Sequence, residues 1–438
     1  MQTLLFRLAT AAFLCVRLLT AQSADSTQLK QVIIFGRHGV RTPILPNTAL
    51  NAFSALPFPQ FAVSGISALT PNGRKNETLF GGYMRLWLMR EGLLTGNDST
   101  DSGLVYVRAN DAPLIVQTAQ AFVAGLLPAA TVKINSYTAP GKDPIFDPVD
   151  AGVAQLDGQM AVAAVNGRLG GNPQSLSSAY APELALTRAI LFHYPAGQTP
   201  APAPPSGKID VTTLPITATA GNSTLPVNLG GLAEVTGAID PFFMEYADAL
   251  PMSEVGWGQL TEADVSQVTR LYNLTLDLEF RTPYLARVQS SNLASHIVRS
   301  MVQSATGNAM GGALGSPSTK LIILIGSNTN ITGVAGLFHL DWSIPTYPPD
   351  TAAPDGALVF ELRQSQSSGE YVVRTSYISP TMDQLRDQTP LTLAAPPAVA
   401  PVFIPGCSTS NATFDCPLAD FVRIARRAID PESIDIFN

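Results

Sequence analysis

The chain has few charged residues for its 438 residues, and no run of lysine or arginine. Charged residues make up 13% of the sequence, and the formal net charge is −7. Proteins that bind nucleic acid present a basic patch or stripe, so this composition argues against nucleic acid as a partner. The hydrophobic fraction of 46% is enough for a sizeable core, and the length fits two to three domain-sized units or one large core with insertions.

Histidine is also scarce. The four histidines, His38, His193, His296 and His339, are scattered along the chain and do not form a cluster with cysteines or carboxylates at metal-ligand spacing. We therefore expect no metal site and no cofactor.

Only three cysteines are present, and one of them, Cys15, lies close to the N-terminus. The other two, Cys407 and Cys416, are nine residues apart, with no histidine nearby to complete a zinc site. In an exported protein they most simply form one disulfide that closes a small loop.

Residues 1–24 have the composition of a secretory signal. Arg7 supplies positive charge, residues 8–16 are apolar, and residues 21–24 offer small side chains for cleavage. Arg17 departs from this pattern, and an ordinary buried helix is the alternative. No other segment has the roughly 18 uninterrupted apolar residues that a membrane helix requires. We expect a secreted or periplasmic protein without a membrane span.

Residues 37–43, Arg-His-Gly-Val-Arg-Thr-Pro, form the most informative segment. They follow an apolar, β-branched run at 32–35 that predicts a short buried strand. Ligands of open α/β sheets bind at the carboxyl ends of strands. Arg37 and Arg41 can hold a phosphate through paired hydrogen bonds, and His38 between them can attack phosphorus. A solvated loop without chemistry is the alternative.

The remaining pattern predicts an α/β fold. A turn at 69–73 leads into a helix, and further strands and helices follow by their apolar periodicity. The strands are expected at 104–108, 131–137, 321–325, 357–363 and 371–378, and the helices at 112–127, 261–278, 285–303 and 418–428.

Strands near both ends of the chain imply one mixed central sheet that is flanked by helices and built from distant segments. We place this α/β domain at 25–135 and 318–438. The intervening residues 136–317 are expected to form a second, mostly helical domain, inserted into the first. Residues 199–215 within it are rich in proline and predict an exposed connection.

The segment at 37–43 resembles the signature of the histidine acid phosphatases, branch 2 of the histidine phosphatase superfamily. Further strings resemble the phytase and glucose-1-phosphatase branch of that family, in the same order along the chain, at 69–73, 121–126, 256–258, 281–283, 355–361, 385–390 and 406–418. The resemblance implies a phosphohistidine on His38, phosphate binding by Arg37 and Arg41, and a phosphomonoester as substrate or ligand. It also places Thr42 in the substrate pocket, as well as Arg281, for which a surface role is the alternative.

Three positions depart from the family pattern. Leu114 stands where the family has a third phosphate-binding arginine. Ser327 and Asn328 stand where the family has a histidine that assists phosphate binding and an aspartate that protonates the leaving oxygen. Asparagine cannot deliver a proton, although its amide can still donate a hydrogen bond to phosphate. We therefore expect Ser327 to help bind phosphate, with Asn328 at the altered proton-donor position.

Two functions remain open from the sequence. The first is a phosphomonoesterase with weakened or altered activity. The second is a catalytically inactive pseudophosphatase that binds phosphorylated ligands or a protein partner. Asp111 could approach the pocket and donate a proton, but an aspartate at such a position is more often a helix N-cap.

Overall fold

The structure, a computed structural model, describes residues 25–435, so the expected signal at 1–24 and Cys15 lie outside it. The strands are β1 (Thr27–Arg37), β2 (Val105–Ala109), β3 (Ile134–Asn135), β4 (Ile216–Ala220), β5 (Val227–Gly230), β6 (Leu321–Gly326), β7 (Ala357–Ser365), β8 (Tyr371–Ser379), β9 (Ala398–Pro401) and β10 (Cys416–Pro417). The helices are α1 (Asn47–Leu50), α2 (Pro71–Arg90), α3 (Asp98–Asp101), α4 (Pro113–Leu126), α5 (Gly158–Arg168), α6 (Leu176–Ala179), α7 (Ala181–Leu191), α8 (Gly231–Ala247), α9 (Glu262–Phe280), α10 (Pro283–Thr306), α11 (Asn328–Phe338), α12 (Met382–Arg386) and α13 (Leu418–Ala428).

An eight-stranded mixed sheet forms the centre of the molecule, in the order β10-β8-β7-β1-β6-β2-β3, with β9 paired to β8. Strands β1, β6, β2 and β3 are parallel, whereas β7 and β8 run antiparallel to their neighbours. The predicted fold class, a mixed α/β sheet flanked by helices, is confirmed. The third predicted strand is much shorter than expected, since β3 has only two residues.

The central strands are apolar on both faces because helices cover both sides of the sheet. Ile33 and Phe35 of β1 face one hydrophobic cluster, which contains most of the helices after residue 136. Val32 and Ile34 face a second cluster, which is built largely from α2 and α4. This alternation follows from the two-residue repeat of a strand, and double coverage explains why the run reads as continuously hydrophobic.

Helices α2 and α4 cross with their backbones in close contact. A methyl group added to Gly81 would lie 2.0 Å from the carbonyl oxygen of Phe122, and one added to Gly125 would lie 2.0 Å from that of Thr78. Only glycine allows such an approach. The crossing fixes the position of α4 relative to α2.

Residues between β3 and β6 carry helices α5 to α10 and the small β4–β5 hairpin, which is a separate two-stranded sheet. Helix α8 was not expected from the sequence, because Pro241 stands inside it and nearly all its residues are buried. The exact domain boundaries stay a prediction.

A disulfide joins Cys407 and Cys416, whose Cα atoms are 5.1 Å apart, as the sequence predicts. Within residues 25–435, none of the helices is both long enough and apolar enough to cross a bilayer.

Candidate active site

The loops after β1, β6 and β2 meet at one edge of the sheet. Arg37 is in register with Gly326 of β6, and the backbone N–H of His38 donates to the Gly326 carbonyl at 3.0 Å. The N–H of Asn110, just after β2, donates to the Ile325 carbonyl at 3.0 Å. The segment at 37–43 and the residues that follow β6 therefore lie side by side, as the parallel arrangement requires.

His38 is buried and held in one tautomer. Its Nδ1 lies 2.9 Å from the carbonyl oxygen of Gly39, which can only accept, so Nδ1 carries the hydrogen. Burial lowers the pKa of His38 well below its usual 6.5, and the charges of Arg37 and Arg41 lower it further. The imidazole is therefore neutral, with its lone pair on Nε2, which is the state that a nucleophile needs.

Arg37 is a buried cation without a carboxylate partner among the described residues. Its Nη1 donates to the carbonyl oxygen of Ala352 at 2.7 Å, and its Nε has no hydrogen-bond partner there. Burial lowers the pKa of this guanidinium, with a smaller contribution from Arg41. A buried, incompletely satisfied guanidinium favours an anionic ligand.

Arg41, in contrast, has a carboxylate partner. Its Nη1 and Nη2 donate to the two carboxylate oxygens of Asp240 on α8, at 2.9 and 2.8 Å. Burial by itself would lower the pKa of Arg41, but Asp240 raises it above its ordinary value. Asp240 also accepts from the backbone N–H of Ile44 at 3.1 Å. The charge of Arg41 is therefore balanced by a carboxylate, whereas that of Arg37 is not balanced by an ion pair within residues 25–435. The sequence did not predict this difference.

Ser327 and Asn328 have different tasks at the N-terminus of α11. Ser327 is the N-cap, and its side chain and that of Asn330 form a reciprocal capping box. Asn328 is buried, and its Nδ2 donates to the hydroxyl of Tyr272 on α9 at 3.1 Å. Of the two side chains, only that of Asn328 is connected to Arg41, because it contacts Tyr272, which in turn interacts with Arg41.

Tyr272 and Asp240 belong to the same cavity as Arg37. The Tyr272 hydroxyl interacts electrostatically with the guanidinium groups of both Arg41 and Arg37. The polar residues that line this cavity are Arg37, Asp240, Thr269, Tyr272, Asn273 and Thr351. Neither Tyr272 nor Asp240 was singled out from the sequence, because each lies on a helix whose facing direction depends on packing with distant segments.

Helix α4 contacts the loop through Thr118, in its second turn. Its hydroxyl donates to the carbonyl oxygen of Leu114 at 2.9 Å and accepts from the N–H of Gly39 at 3.2 Å. Leu114 itself is buried in the hydrophobic cluster under α2 and α4. Arg108, the arginine before it in sequence, forms a buried ion pair with Asp143 at 2.7 Å.

Asp111 is exposed, and the N-cap of α4 is Ala112, so the expected capping role is wrong. Its proposed proton donation remains untested by the contacts of the described residues.

Two buried carboxyl groups lie directly behind the loop. A methyl group added to Gly39 would lie 3.1 Å from both Asp355 Oδ1 and Glu77 Cγ. Burial raises the pKa of Asp355 to about 7, and burial together with Asp355 raises that of Glu77 well above 4.5. Like-charged neighbours in a dry site share a proton. The sequence carried no signal for this pair, which joins α2 to the turn before β7.

Thr42 and Arg281 occupy different surroundings. The Thr42 hydroxyl donates to the Gly65 carbonyl at 2.8 Å and accepts from the N–H of Ala68 at 2.9 Å, so it fixes the loop. Arg281 donates to the carbonyl oxygen of Leu340 at 2.9 Å and forms ion pairs with the carboxylates of Asp277, Asp341 and Asp350. It borders a neighbouring cavity that shares Asn273 and Leu276 with the first. Their substrate contacts stay a prediction.

Comparisons with known families, sequences and structures all find phosphatases and phytases. The family model described as histidine phosphatase superfamily (branch 2) matches residues 28–177. The chain is 28% identical over 414 residues to phytase AppA of Escherichia coli (strain K12), which covers 94% of each chain. It is 26% identical over 430 residues to the glucose-1-phosphatase of Salmonella typhimurium, covering 96% of this chain and 98% of the relative. The structure of Hafnia alvei phytase in complex with tartrate is similar with a TM-score of 0.84 and 29% identity, over 94% of this chain and 100% of that chain.

Proposed function

Because this chain belongs to branch 2 of the histidine phosphatase superfamily, we propose that it hydrolyses phosphomonoesters through a phosphohistidine on His38. The observation that carries the proposal is the neutral, oriented imidazole. The hydrogen on Nδ1 is held by the Gly39 carbonyl, which leaves Nε2 available for attack. Arg37, a buried cation with unused hydrogen-bonding capacity, is the main phosphate ligand.

The reaction has two steps. Nε2 of His38 attacks phosphorus while the bond to the leaving oxygen breaks, which gives an alcohol and phosphohistidine. Water then attacks phosphorus, the N–P bond breaks, and inorganic phosphate leaves. Arg37 and Arg41 stabilise the charge of the transferred group in both steps. The N-terminus of α11 lies beside them and also favours an anion.

We propose that the activity is weak or altered relative to a complete site. A lost general acid typically costs about 10²–10⁴ in rate, and a lost arginine at a phosphoryl transition state about 10³–10⁵. These factors need not multiply, because residues that act together are not additive. Asn328 stands at the position of the acid, and Leu114 stands at the position of the arginine. Phosphates of acidic alcohols, such as aryl phosphates, depend least on a proton donor.

The test is hydrolysis of an aryl phosphate, a sugar phosphate and an inositol phosphate between pH 4 and pH 8. Wild type is compared with His38→Ala and with the control His193→Ala, which changes an exposed histidine. We expect turnover in wild type and in the control, loss of turnover in His38→Ala, and trapping of phosphohistidine by rapid quench. Equal rates for wild type and His38→Ala would refute the proposal.

A second function is favoured by the Arg41–Asp240 ion pair together with the three altered positions. In this alternative the protein binds phosphorylated ligands or a partner without turnover. Calorimetry with inorganic phosphate and an inositol phosphate separates the two: saturable binding without hydrolysis supports the binding function, and hydrolysis that depends on His38 excludes it.

We also propose that the protein is exported, to the periplasm or the medium. The signal-like composition of residues 1–24 supports this, as does the Cys407–Cys416 disulfide, because disulfides persist in oxidising compartments. Fractionation and mass spectrometry of the N-terminus test it. An intact residue 1 on protein found only in the cytoplasm would contradict export.

A further inference from the structure

The proposed reaction leaves one proton unassigned, the proton that the leaving oxygen needs. Asn328 cannot supply it. Both oxygens of Asp240 already accept hydrogen bonds from the Arg41 guanidinium. Asp355 and Glu77 lie on the Gly39 side of the loop and do not border the cavity that contains Arg37, as far as residues 25–435 are concerned.

Tyr272 has the required position and an available hydrogen. Its hydroxyl contacts the side-chain amide of Asn328 and interacts electrostatically with Arg37 and Arg41, and Tyr272 borders the cavity. Nδ2 of Asn328 donates to the hydroxyl oxygen at 3.1 Å, and the guanidinium groups of Arg37 and Arg41 have no acceptor atom. The hydrogen of the Tyr272 hydroxyl therefore has no acceptor in these neighbours, and a phosphate ester bound at Arg37 supplies one.

We propose that Tyr272 is the proton donor to the leaving oxygen, in place of the acid that position 328 lacks. This inference rests on the proposed function. As Nε2 of His38 forms its bond to phosphorus and the P–O bond breaks, the Tyr272 hydroxyl transfers its proton to the departing oxygen, giving a neutral alcohol and a tyrosinate. In the second step the tyrosinate takes a proton from the attacking water, the N–P bond breaks, and inorganic phosphate is released.

The Tyr272 hydroxyl oxygen accepts a hydrogen bond from the amide of Asn328 and lies beside the Arg41 guanidinium. Asn328 is thus a positioning residue in this scheme, because its amide fixes the hydroxyl oxygen and leaves the hydroxyl hydrogen for the substrate.

The test compares Tyr272→Phe with wild type on a series of phosphates whose leaving alcohols become steadily more basic, from p-nitrophenyl phosphate through phenyl phosphate to an alkyl phosphate. Proton donation matters most for basic leaving groups. We therefore expect a small change in kcat on p-nitrophenyl phosphate and a loss of about 10²-fold or more on the alkyl phosphate. Tyr284→Phe is the matched control, because its hydroxyl, which accepts from the N–H of Asp157 at 2.9 Å, lies on the next helix.

A loss in Tyr272→Phe that is equal on all substrates, or no loss at all, would overturn the role of Tyr272 while leaving His38-dependent hydrolysis intact. The double variant Tyr272→Phe/Asn328→Asp is expected to regain alkyl phosphate hydrolysis, because it returns a carboxylic acid to the pocket.

A measurement on wild type alone covers the case in which the variant does not fold. With a proton donor, log kcat/KM depends only weakly on the pKa of the leaving alcohol, whereas a steep decline with rising pKa would overturn the proposal. Failure of the proposed function looks different, since His38→Ala would then match wild type on every substrate.

Discussion

One buried carboxyl group, Glu279 on α9, is expected to make the free energy of unfolding depend on pH. Its side chain is 1% exposed, and Oε2 has no hydrogen-bond partner in the described part of the chain. Burial raises the pKa of Glu279 from its ordinary value of 4.5 to about 8. The perturbation is Glu279→Gln, which keeps the shape of the side chain and removes its titration.

The sign follows from proton binding. Between pH 4.5 and about pH 8 the folded protein keeps the Glu279 proton, whereas the unfolded chain releases it. The folded state then binds more protons, so the free energy of unfolding falls as the pH rises. Each pKa unit corresponds to about 1.4 kcal/mol, which gives a limit of about 5 kcal/mol and, with the group half titrated at pH 8, about 4 kcal/mol between pH 4 and pH 8.

The assay is urea unfolding of wild type and Glu279→Gln at pH 4, 6 and 8. Other buried carboxyl groups, such as Glu245 with a pKa of about 8, add their own pH dependence to both proteins, so the difference between them isolates Glu279. We expect the free energy of unfolding of the variant, relative to wild type, to increase by about 4 kcal/mol from pH 4 to pH 8. Glu432→Gln, at an exposed position, is the control and is expected to follow wild type. A difference between Glu279→Gln and wild type that stays constant over the pH range would refute the reasoning.

Two further changes test the site itself. The triple variant Leu114→Arg, Ser327→His and Asn328→Asp restores the family residues and is expected to raise kcat/KM on alkyl phosphates by about 10²-fold or more; no gain in the same assay would show that other parts of the pocket differ. Asp240→Asn leaves Arg41 without its carboxylate, so we expect a cost of about 3–5 kcal/mol in urea unfolding and inhibition by inorganic phosphate at about tenfold lower concentration. An unchanged inhibition constant would mean that Arg41 does not bind phosphate.

The parts of the fold that could be predicted were those whose pattern is local. Residues 32–35 of β1 and strand β6 are continuous apolar runs because both faces of the sheet are covered, and the segment at 37–43 begins at the last residue of β1. Helix α8 was missed because a helix buried nearly all round has no polar face, and Pro241 interrupts its pattern.

The parts of the site that could not be predicted depend on the packing of segments that are distant in sequence. Asp240 reaches Arg41 from the missed helix α8. Tyr272 lies on α9, a helix that the sequence does predict. The apolar periodicity of α9 does not indicate which of its residues contacts Asn328 at the start of α11. Glu77 and Asp355 are ordinary acids in the sequence and become a pair only when α2 and the turn before β7 pack behind Gly39.

The loop that carries the nucleophile is held by its main chain. The N–H of Arg37 donates to the Gly356 carbonyl at 2.9 Å, that of His38 donates to the Gly326 carbonyl at 3.0 Å, and the Val40 carbonyl accepts from Thr70 at 3.1 Å. None of these bonds involves the side chains whose identities differ from the family pattern. Substitution in the surrounding pocket can therefore change the substrate or even abolish turnover without moving the imidazole, so the chain is a suitable starting framework for selecting new phosphoryl-transfer specificities from libraries of pocket variants.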